Sequence, residues 1–300
     1  MTEVTFNKVG YDPFIDFLKG LCIVSVVLTH SIPYEWQSMI GFPFWGAQAV
    51  PVFLLIQSFH YLKHEQLPHI DWKKLFKRIV WPFLFAQAII VAGIGVMYLC
   101  GSGMLSTPLK MLIRTGGSGP GSYYFWVYLQ FALILLPTFG WLHKKWQLKS
   151  WVWLLIFVVV SEGLEIMCSF LDIPPLVYRL LAIRYVFLVY GGYVWVQEGV
   201  QLNWKTILMS LISMASIYLW QYQQMSLEPW VVDTDWRYFH WFCYFLAIFG
   251  IIFIANLLFK MLGGYSQNIL YALVNAHTKY LCSKYWSFIF IQWVEIGGFI

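Results

Sequence analysis

The sequence has 300 residues, of which 60% are hydrophobic, 20% are aromatic and only 11% are charged. Soluble globular domains have about 45–50% apolar and about 25% charged residues, so this composition excludes a soluble enzyme. A membrane helix needs about 20 apolar residues, which leaves room for about eight to ten spans. The sequence therefore predicts an all-α, polytopic transmembrane helical bundle that forms a single domain over residues 1–300.

Hydropathy along the chain predicts nine membrane spans. Residues 265–283 are either an interfacial helix or part of a tenth span. The predicted spans lie near residues 14–31, 44–62, 79–100, 122–142, 151–171, 177–197, 204–222, 239–261 and 285–300.

The basic residues predict the orientation of these spans. Most of the 19 lysines and arginines fall on the side of the N-terminus, whereas the opposite loops carry only Lys110, Arg114 and Arg237. Because cytoplasmic loops are enriched in Lys and Arg, this asymmetry predicts a cytoplasmic N-terminus. Lipid anchoring also accounts for the net charge of +5 without a nucleic-acid partner. We expect a multi-pass protein of a bacterial cytoplasmic (inner) membrane.

Two kinds of pattern are missing from the sequence. The five cysteines occur singly, which indicates neither a disulfide framework nor a metal site. The two halves of the chain share no motif, and no pair of Gly/Pro-broken spans occupies corresponding positions, as it does in many transporters.

The first predicted span carries ionisable residues where they are costly. A charged side chain at a helix centre costs about 2.5–3.5 kcal/mol on insertion scales. Lys19 and His30 are eleven residues apart, which places them on one helical stripe, about 16 Å apart along the axis. Asp16 precedes Lys19 by three residues and can pair with it. The alternative is a snorkelling lysine and a histidine that caps the outer helix end.

A second group of ionisable residues lies in the fifth and sixth predicted spans. Glu162 and Glu165 are three residues apart on one helical face, and Arg184 lies in the next span. The short Leu171–Pro175 turn makes the two spans antiparallel neighbours, so these groups should reach similar depths in the middle to outer half. They form either a structural ion pair or, with His30, a polar cavity that holds a reaction or a solute.

The segment before the third span is strongly basic. Lys74, Lys77 and Arg78 lie within one helical turn, just before Pro82. They are either a positive-inside anchor or a clamp for the phosphates of a nucleotide-containing donor.

Several motifs together resemble the acyltransferase-3 family of membrane acyltransferases. The family's first span has a basic residue, ten residues and then histidine, as in Lys19 and His30, with lysine in place of the usual arginine. Its second-span motif is similar to Phe53–Phe59, which includes Ser58. Its cytoplasmic arginine motif resembles Lys74 to Pro82, again lysine-rich. Further similarities, including one to glycan-modifying members, lie in Leu281–Tyr285, Ile289–Gln292 and Gly119–Trp126.

The resemblance implies transfer of an acyl group, usually acetyl, from cytoplasmic acetyl-CoA to a hydroxyl of a cell-surface or lipid-linked glycan. It implies that His30 is a general base or a transient acyl carrier, oriented by Glu162 or Glu165. The residues expected to hold the CoA phosphates are Lys19, Lys74, Lys77 and Arg78. Those expected to bind the acceptor are Arg184, Ser58, Tyr124 and Trp126. Arg184 could instead stabilise the oxyanion, and the two aromatic residues could instead belong to an interfacial belt.

The competing interpretation is a proton-coupled transporter that uses the intramembrane His, Glu and Arg residues as a relay. The expected partners are membrane lipids, the acyl-CoA and the glycan or glycolipid acceptor, and a homo-oligomer is left open. No metal is expected.

Overall fold

The computed structural model describes residues 12–46, 48–63, 72–101, 122–199, 204–222 and 240–261. Over these residues the chain is helical apart from short turns, and they contain no strand, which confirms the all-α prediction. The α-helices are α1 (Pro13–Ser31), α2 (Tyr34–Met39), α3 (Phe42–Trp45), α4 (Ala49–Lys63), α5 (Trp72–Leu75), α6 (Trp81–Leu99), α7 (Ser122–Gln130), α8 (Leu136–Trp146), α9 (Ser150–Phe170), α10 (Pro175–Leu180), α11 (Phe187–Glu198), α12 (Trp204–Tyr222) and α13 (Ile252–Met261).

Wider π-helical turns join some of these helices without a break. Phe76–Val80 links α5 to α6, Phe131–Leu135 links α7 to α8, and Leu246–Ile251 leads into α13. The continuous helices Tyr123–Trp146, Ser150–Phe170 and Trp241–Met261 are long and apolar enough to cross a membrane. Two shorter apolar helices, Trp81–Val96 and Ile207–Ser216, also coincide with predicted spans. The last predicted span, 285–300, and the segment 265–283 lie outside the described residues.

The first predicted span is one uninterrupted helix. Asp12 caps its start by accepting a hydrogen bond of 3.0 Å from the backbone N–H of Phe14. Gln37, in the short helix α2, caps its end, because its amide donates to the carbonyls of Thr29 and Ile32, each at 2.7 Å. Since a helix end leaves backbone carbonyls unpaired, Gln37 fixes α2 against the turn that contains His30.

The sixth predicted span, 177–197, is not one continuous helix. It consists of α10, a 3-10 turn at Ile183–Tyr185 and α11, and Leu181 and Ala182 between them have non-helical backbones. The side chain of Gln130 occupies this break: its Nε2 donates to the Leu180 carbonyl at 2.7 Å, and its Oε1 accepts from the Ala182 N–H at 3.2 Å. A single amide thus replaces two hydrogen bonds that the interrupted helix lacks.

Helices α4 and α11 pack closely at the centre of the core. Gly192 on α11 lies directly against Ser58 on α4, and a Cβ atom added to Gly192 would lie 2.2 Å from the Ser58 Cβ. Gly191 similarly faces Leu55 and Ile248. Small residues at a helix interface let two backbones approach in a membrane protein, so this glycine pair determines how α11, and the Arg184 turn before it, sits against the bundle.

Candidate active site

A buried histidine and a carboxylate form the first part of a polar cluster. The Nε2 atom of His240 lies 3.3 Å from Oε1 of Glu162. The histidine side chain is 2% exposed and the glutamate side chain is 20% exposed. The indole N–H of Trp241 also donates to Glu162 Oε1. Glu162 comes from the middle of α9, whereas His240 and Trp241 lie at the start of the last described helical segment.

A second carboxylate lies one helical turn further along α9. Glu165 is buried and accepts a hydrogen bond at Oε1 from the Tyr178 hydroxyl on α10. Its other oxygen, Oε2, is buried and has no hydrogen-bond partner among the described residues. Arg184 and His240 both interact electrostatically with Glu165, so the two glutamates, the arginine and the histidine form one cluster.

Aromatic rings surround the guanidinium of Arg184, which is only 5% exposed. Its carbon Cζ lies 5.1–5.7 Å from the ring centres of Tyr123, Tyr178 and Tyr185. One terminal nitrogen donates to the Arg179 carbonyl at 2.8 Å. The rings hold the cation by cation–π attraction, and the nearby Glu165 offsets part of the cost of burying the charge. The cluster is therefore fixed in position before any substrate arrives.

In the first predicted span, the structure contains the predicted pair of Lys19 and Asp16. Lys19 Nζ lies 3.1 Å from Asp16 Oδ1, and both side chains are 39% exposed, which confirms the expected pair. His30 lies in the last turn of the same helix, so the continuous helical stripe from Lys19 to His30 is present. The roles of Lys19 in donor binding and of His30 in catalysis stay predictions.

The basic segment forms a helical entry to α6. Lys74 belongs to α5, and Lys77 and Arg78 belong to the π-helical turn that follows it. The Lys77 side chain is exposed. Because π-turns occur frequently at functional sites, the wider turn is consistent with a binding segment. Phosphate binding there stays a prediction.

The predicted acceptor residues lie in different surroundings. Ser58 is fully buried against Gly192, at the α4–α11 interface. Tyr124 is half-buried, with its ring 5.9 Å from that of Tyr128, whereas Trp126 is 37% exposed and packs beside Phe125. Residues two apart on a helix point about 200° apart, so Tyr124 and Trp126 do not share a face. Acceptor binding by these three residues stays a prediction.

Two residues of the site were not predicted from the sequence. His240 is the partner of Glu162 that the structure adds, and Gln130 supports the helix break that precedes Arg184. A signal for His240 exists in the sequence, since it is an ionisable residue at the start of a predicted span. Among the described residues, no three His, Cys, Asp or Glu side chains converge as a metal site would require.

Replacing Gln130 with leucine is expected to destabilise the protein by about 1–3 kcal/mol, because buried backbone groups at the break lose their partners. Gln130→Glu should be destabilising as well, since it keeps an acceptor for the Ala182 N–H but loses the donor to the Leu180 carbonyl and adds an ionisable group to a membrane-length helix. The midpoint of thermal unfolding in detergent measures both effects. Gln197→Leu, at an exposed position of α11, is the control. An unchanged midpoint for Gln130→Leu would show that the break does not depend on this side chain.

The helical bundle, its membrane-length helices and the buried ionisable cluster define an integral membrane protein with an enclosed polar site. The sequence profile described as an acyltransferase domain, that of the acyltransferase-3 family, matches residues 12–290. The chain belongs to this family, and it is a membrane acyltransferase. No curated protein and no solved structure matches the chain.

Proposed function

We propose that the protein transfers an acetyl group from cytoplasmic acetyl-CoA to a hydroxyl of a cell-surface or lipid-linked glycan, at the inner membrane of a bacterium. The observation that carries this proposal is the cluster of Glu162, Glu165, Arg184 and His240, which the charge pattern predicts to lie in the middle to outer half of the bundle. The basic segment with Lys74, Lys77 and Arg78 lies at the predicted cytoplasmic end. Donor and acceptor would thus enter from opposite faces.

The chemistry requires a base and a stabiliser of negative charge. The acceptor oxygen forms a bond to the acyl carbonyl carbon, the carbon–sulfur bond of the thioester breaks, and the hydroxyl proton passes to a base. His30 is proposed as this base or as a transient acyl carrier. Arg184 is proposed to bind either the acceptor or the developing oxyanion, because a preorganised cation stabilises such charge strongly.

The remaining residues are proposed to bind the two substrates. Lys19, Lys74, Lys77 and Arg78 hold the phosphates and the pantetheine entrance of the donor, as cations suit phosphate groups. The buried Oε2 atom of Glu165 is an acceptor for an incoming hydroxyl. Membership of an acyltransferase family favours this reaction over the proton-coupled transporter that the same buried charges also suggested.

Inside-out membrane vesicles from cells that carry the protein test the proposal. Acetyl-CoA labelled in the acetyl group is added to the exposed cytoplasmic face, and label is measured in the glycan and glycolipid fractions. We expect label that mild alkali releases, as from an O-ester, and none in vesicles from cells that lack the protein. Mass spectrometry of surface glycans from both cells identifies the acceptor. Intact acetyl-CoA with no labelled fraction would contradict the proposal.

A further inference from the structure

Helix α9 buries a serine and a glutamate on one face, a single turn apart. Its buried residues are Trp153, Phe157, Ser161, Glu165 and Cys168, and their spacing of three or four positions forms one stripe along the helix. Ser161 is 6% exposed and Glu165 is 4% exposed. Because residues four apart on a helix have Cβ atoms about 5–6 Å apart, these two side chains are neighbours inside the bundle.

Each of the two side chains has a buried polar atom to which a ligand can bind. Among the described residues, neither Oγ of Ser161 nor Oε2 of Glu165 has a hydrogen-bond partner. A serine inside a helix can bond to the carbonyl four residues earlier, but Ser161 does not make this bond to Phe157. Since buried polar atoms in proteins are nearly always hydrogen-bonded, two such atoms one helical turn apart indicate a ligand that bonds to both.

The two atoms determine the chemistry of this ligand. A serine hydroxyl can donate a hydrogen bond, whereas an ionised carboxylate only accepts one. The ligand must therefore accept from Ser161 and donate to Glu165, which a hydroxyl group does and an ionised phosphate or carboxylate group does not. The charge of Glu165 also repels an anion. A sugar hydroxyl and a water molecule both have the required chemistry.

The surroundings of the pair hold the glutamate in position. The Tyr178 hydroxyl donates to Oε1 of Glu165, and Arg184 interacts electrostatically with the same side chain. These contacts orient the carboxylate through its other oxygen and its charge, so Oε2 remains for the ligand. Glu162 follows Ser161 directly and its side chain is 20% exposed, so the polar cluster reaches the surface of the protein beside the pair.

We propose that Ser161 and Glu165 together bind one hydroxyl group of the acceptor. Ser161 donates a hydrogen bond to the oxygen of this hydroxyl, and the hydroxyl donates to Oε2 of Glu165. The pair binds the acceptor and takes part in no covalent step. This inference rests on the proposed function, and it adds Ser161 to the acceptor site and an uncharged hydroxyl to the description of the acceptor.

Ser161→Ala and Glu165→Gln test the inference in purified full-length protein in detergent, where both faces are accessible. The substrates are labelled acetyl-CoA and the glycan or glycolipid fraction that takes up label in the vesicle experiment, prepared from cells that lack the protein. Ser161→Ala should raise the half-saturating amount of this fraction about 2-fold to 10-fold, as expected for one uncharged hydrogen bond. Glu165→Gln should raise it about 10-fold to 100-fold, because its bond involves a charge. The half-saturating concentration of acetyl-CoA should not change.

Two further variants serve as controls. Ser161→Thr keeps the hydroxyl, so its half-saturating amount of acceptor should lie below that of Ser161→Ala. Ser169→Ala is the matched control, because Ser169 lies two turns further along α9 and is only half-buried. It should leave both half-saturation values unchanged. The midpoint of thermal unfolding in detergent is measured for every variant.

The comparison of acceptor saturation with stability separates the acceptor from water as the ligand. If the pair holds only a water molecule, or if Ser161 bonds directly to Glu165, Ser161→Ala should lower the unfolding midpoint and leave the half-saturating amount of acceptor at the wild-type value. That result would overturn the inference, and so would wild-type saturation by both substrates in both variants. Absence of transfer to any fraction by the wild-type protein would instead overturn the proposed function itself.

Discussion

His30→Ala is expected to abolish acetyl transfer to surface glycan while the amount of membrane-inserted protein stays unchanged. His30 is proposed as either the base or the acyl carrier, and removing either role costs at least about 100-fold to 10,000-fold in rate. Loss of a covalent carrier would leave no alternative route. The effect should therefore exceed that of any other single substitution in the site. The measurement is the acetyl content of surface glycans, with protein level checked by immunoblotting.

The control for this variant is His143→Ala, which removes a histidine near the predicted cytoplasmic end of the bundle. Gln37 holds the helix end next to His30 by donating to two backbone carbonyls, and both of these hydrogen bonds can remain in His30→Ala. A loss of activity in His30→Ala therefore reports on chemistry. Acetylation at the wild-type rate would show that His30 is neither base nor carrier, and the proposed mechanism would fail.

The parts of the site that the sequence predicted are those that depend on local geometry. Lys19 follows Asp16 by three residues in one helix, and the structure contains their pair. Glu165 and Arg184 are joined by a short turn between two helices, and a short turn makes helices neighbours. Glu165 and Arg184 are therefore brought close together by a helical hairpin, and the few residues of its turn determine the geometry of that hairpin.

The parts that the sequence did not predict depend on contacts between distant segments. His240 lies 78 positions after its partner Glu162, and no spacing rule connects the two. Gln130 binds Leu180 and Ala182, about fifty residues away, and so stabilises a helix break that hydropathy cannot reveal. Hydropathy indicates that a segment is apolar, whereas the backbone path inside it depends on which polar side chains of other helices reach it. The π-helical turns were missed for the same reason.

Ser58 shows how a motif residue acquires a second interpretation from packing. The family resemblance associated it with the acceptor, while the structure places it against Gly192. A small residue at this position is required by the close approach of α4 and α11, whatever its role in binding. The two interpretations predict different results for a substitution of Ser58. A role in acceptor binding predicts slower transfer with unchanged stability, whereas a role in packing alone predicts a change in stability.

Gly192→Val is expected to destabilise the protein more than any other substitution considered. The first added carbon would lie 2.2 Å from the Ser58 Cβ and 3.0 Å from backbone atoms of Ser58 and Phe59. Backbone atoms cannot rotate away as a flexible side chain does, so α4 and α11 would have to separate. Overpacking typically costs about 1–3 kcal/mol and occasionally more. We expect the midpoint of thermal unfolding in detergent to fall by several degrees, with a lower yield of folded protein.

Gly95→Ala is the control for this experiment, because Gly95 is also helical and a Cβ atom there would meet nothing within 4 Å. It should leave the unfolding midpoint unchanged or raise it, since alanine favours a helix by about 1 kcal/mol over glycine. Pairing Gly192→Ala with Ser58→Gly removes the closest contact, and the double variant should be more stable than Gly192→Ala alone. A Gly192→Val protein as stable as the wild type would contradict the close packing of α4 and α11. A Ser58→Gly protein that is stable but slow in transfer would assign Ser58 to the acceptor as well as to the interface.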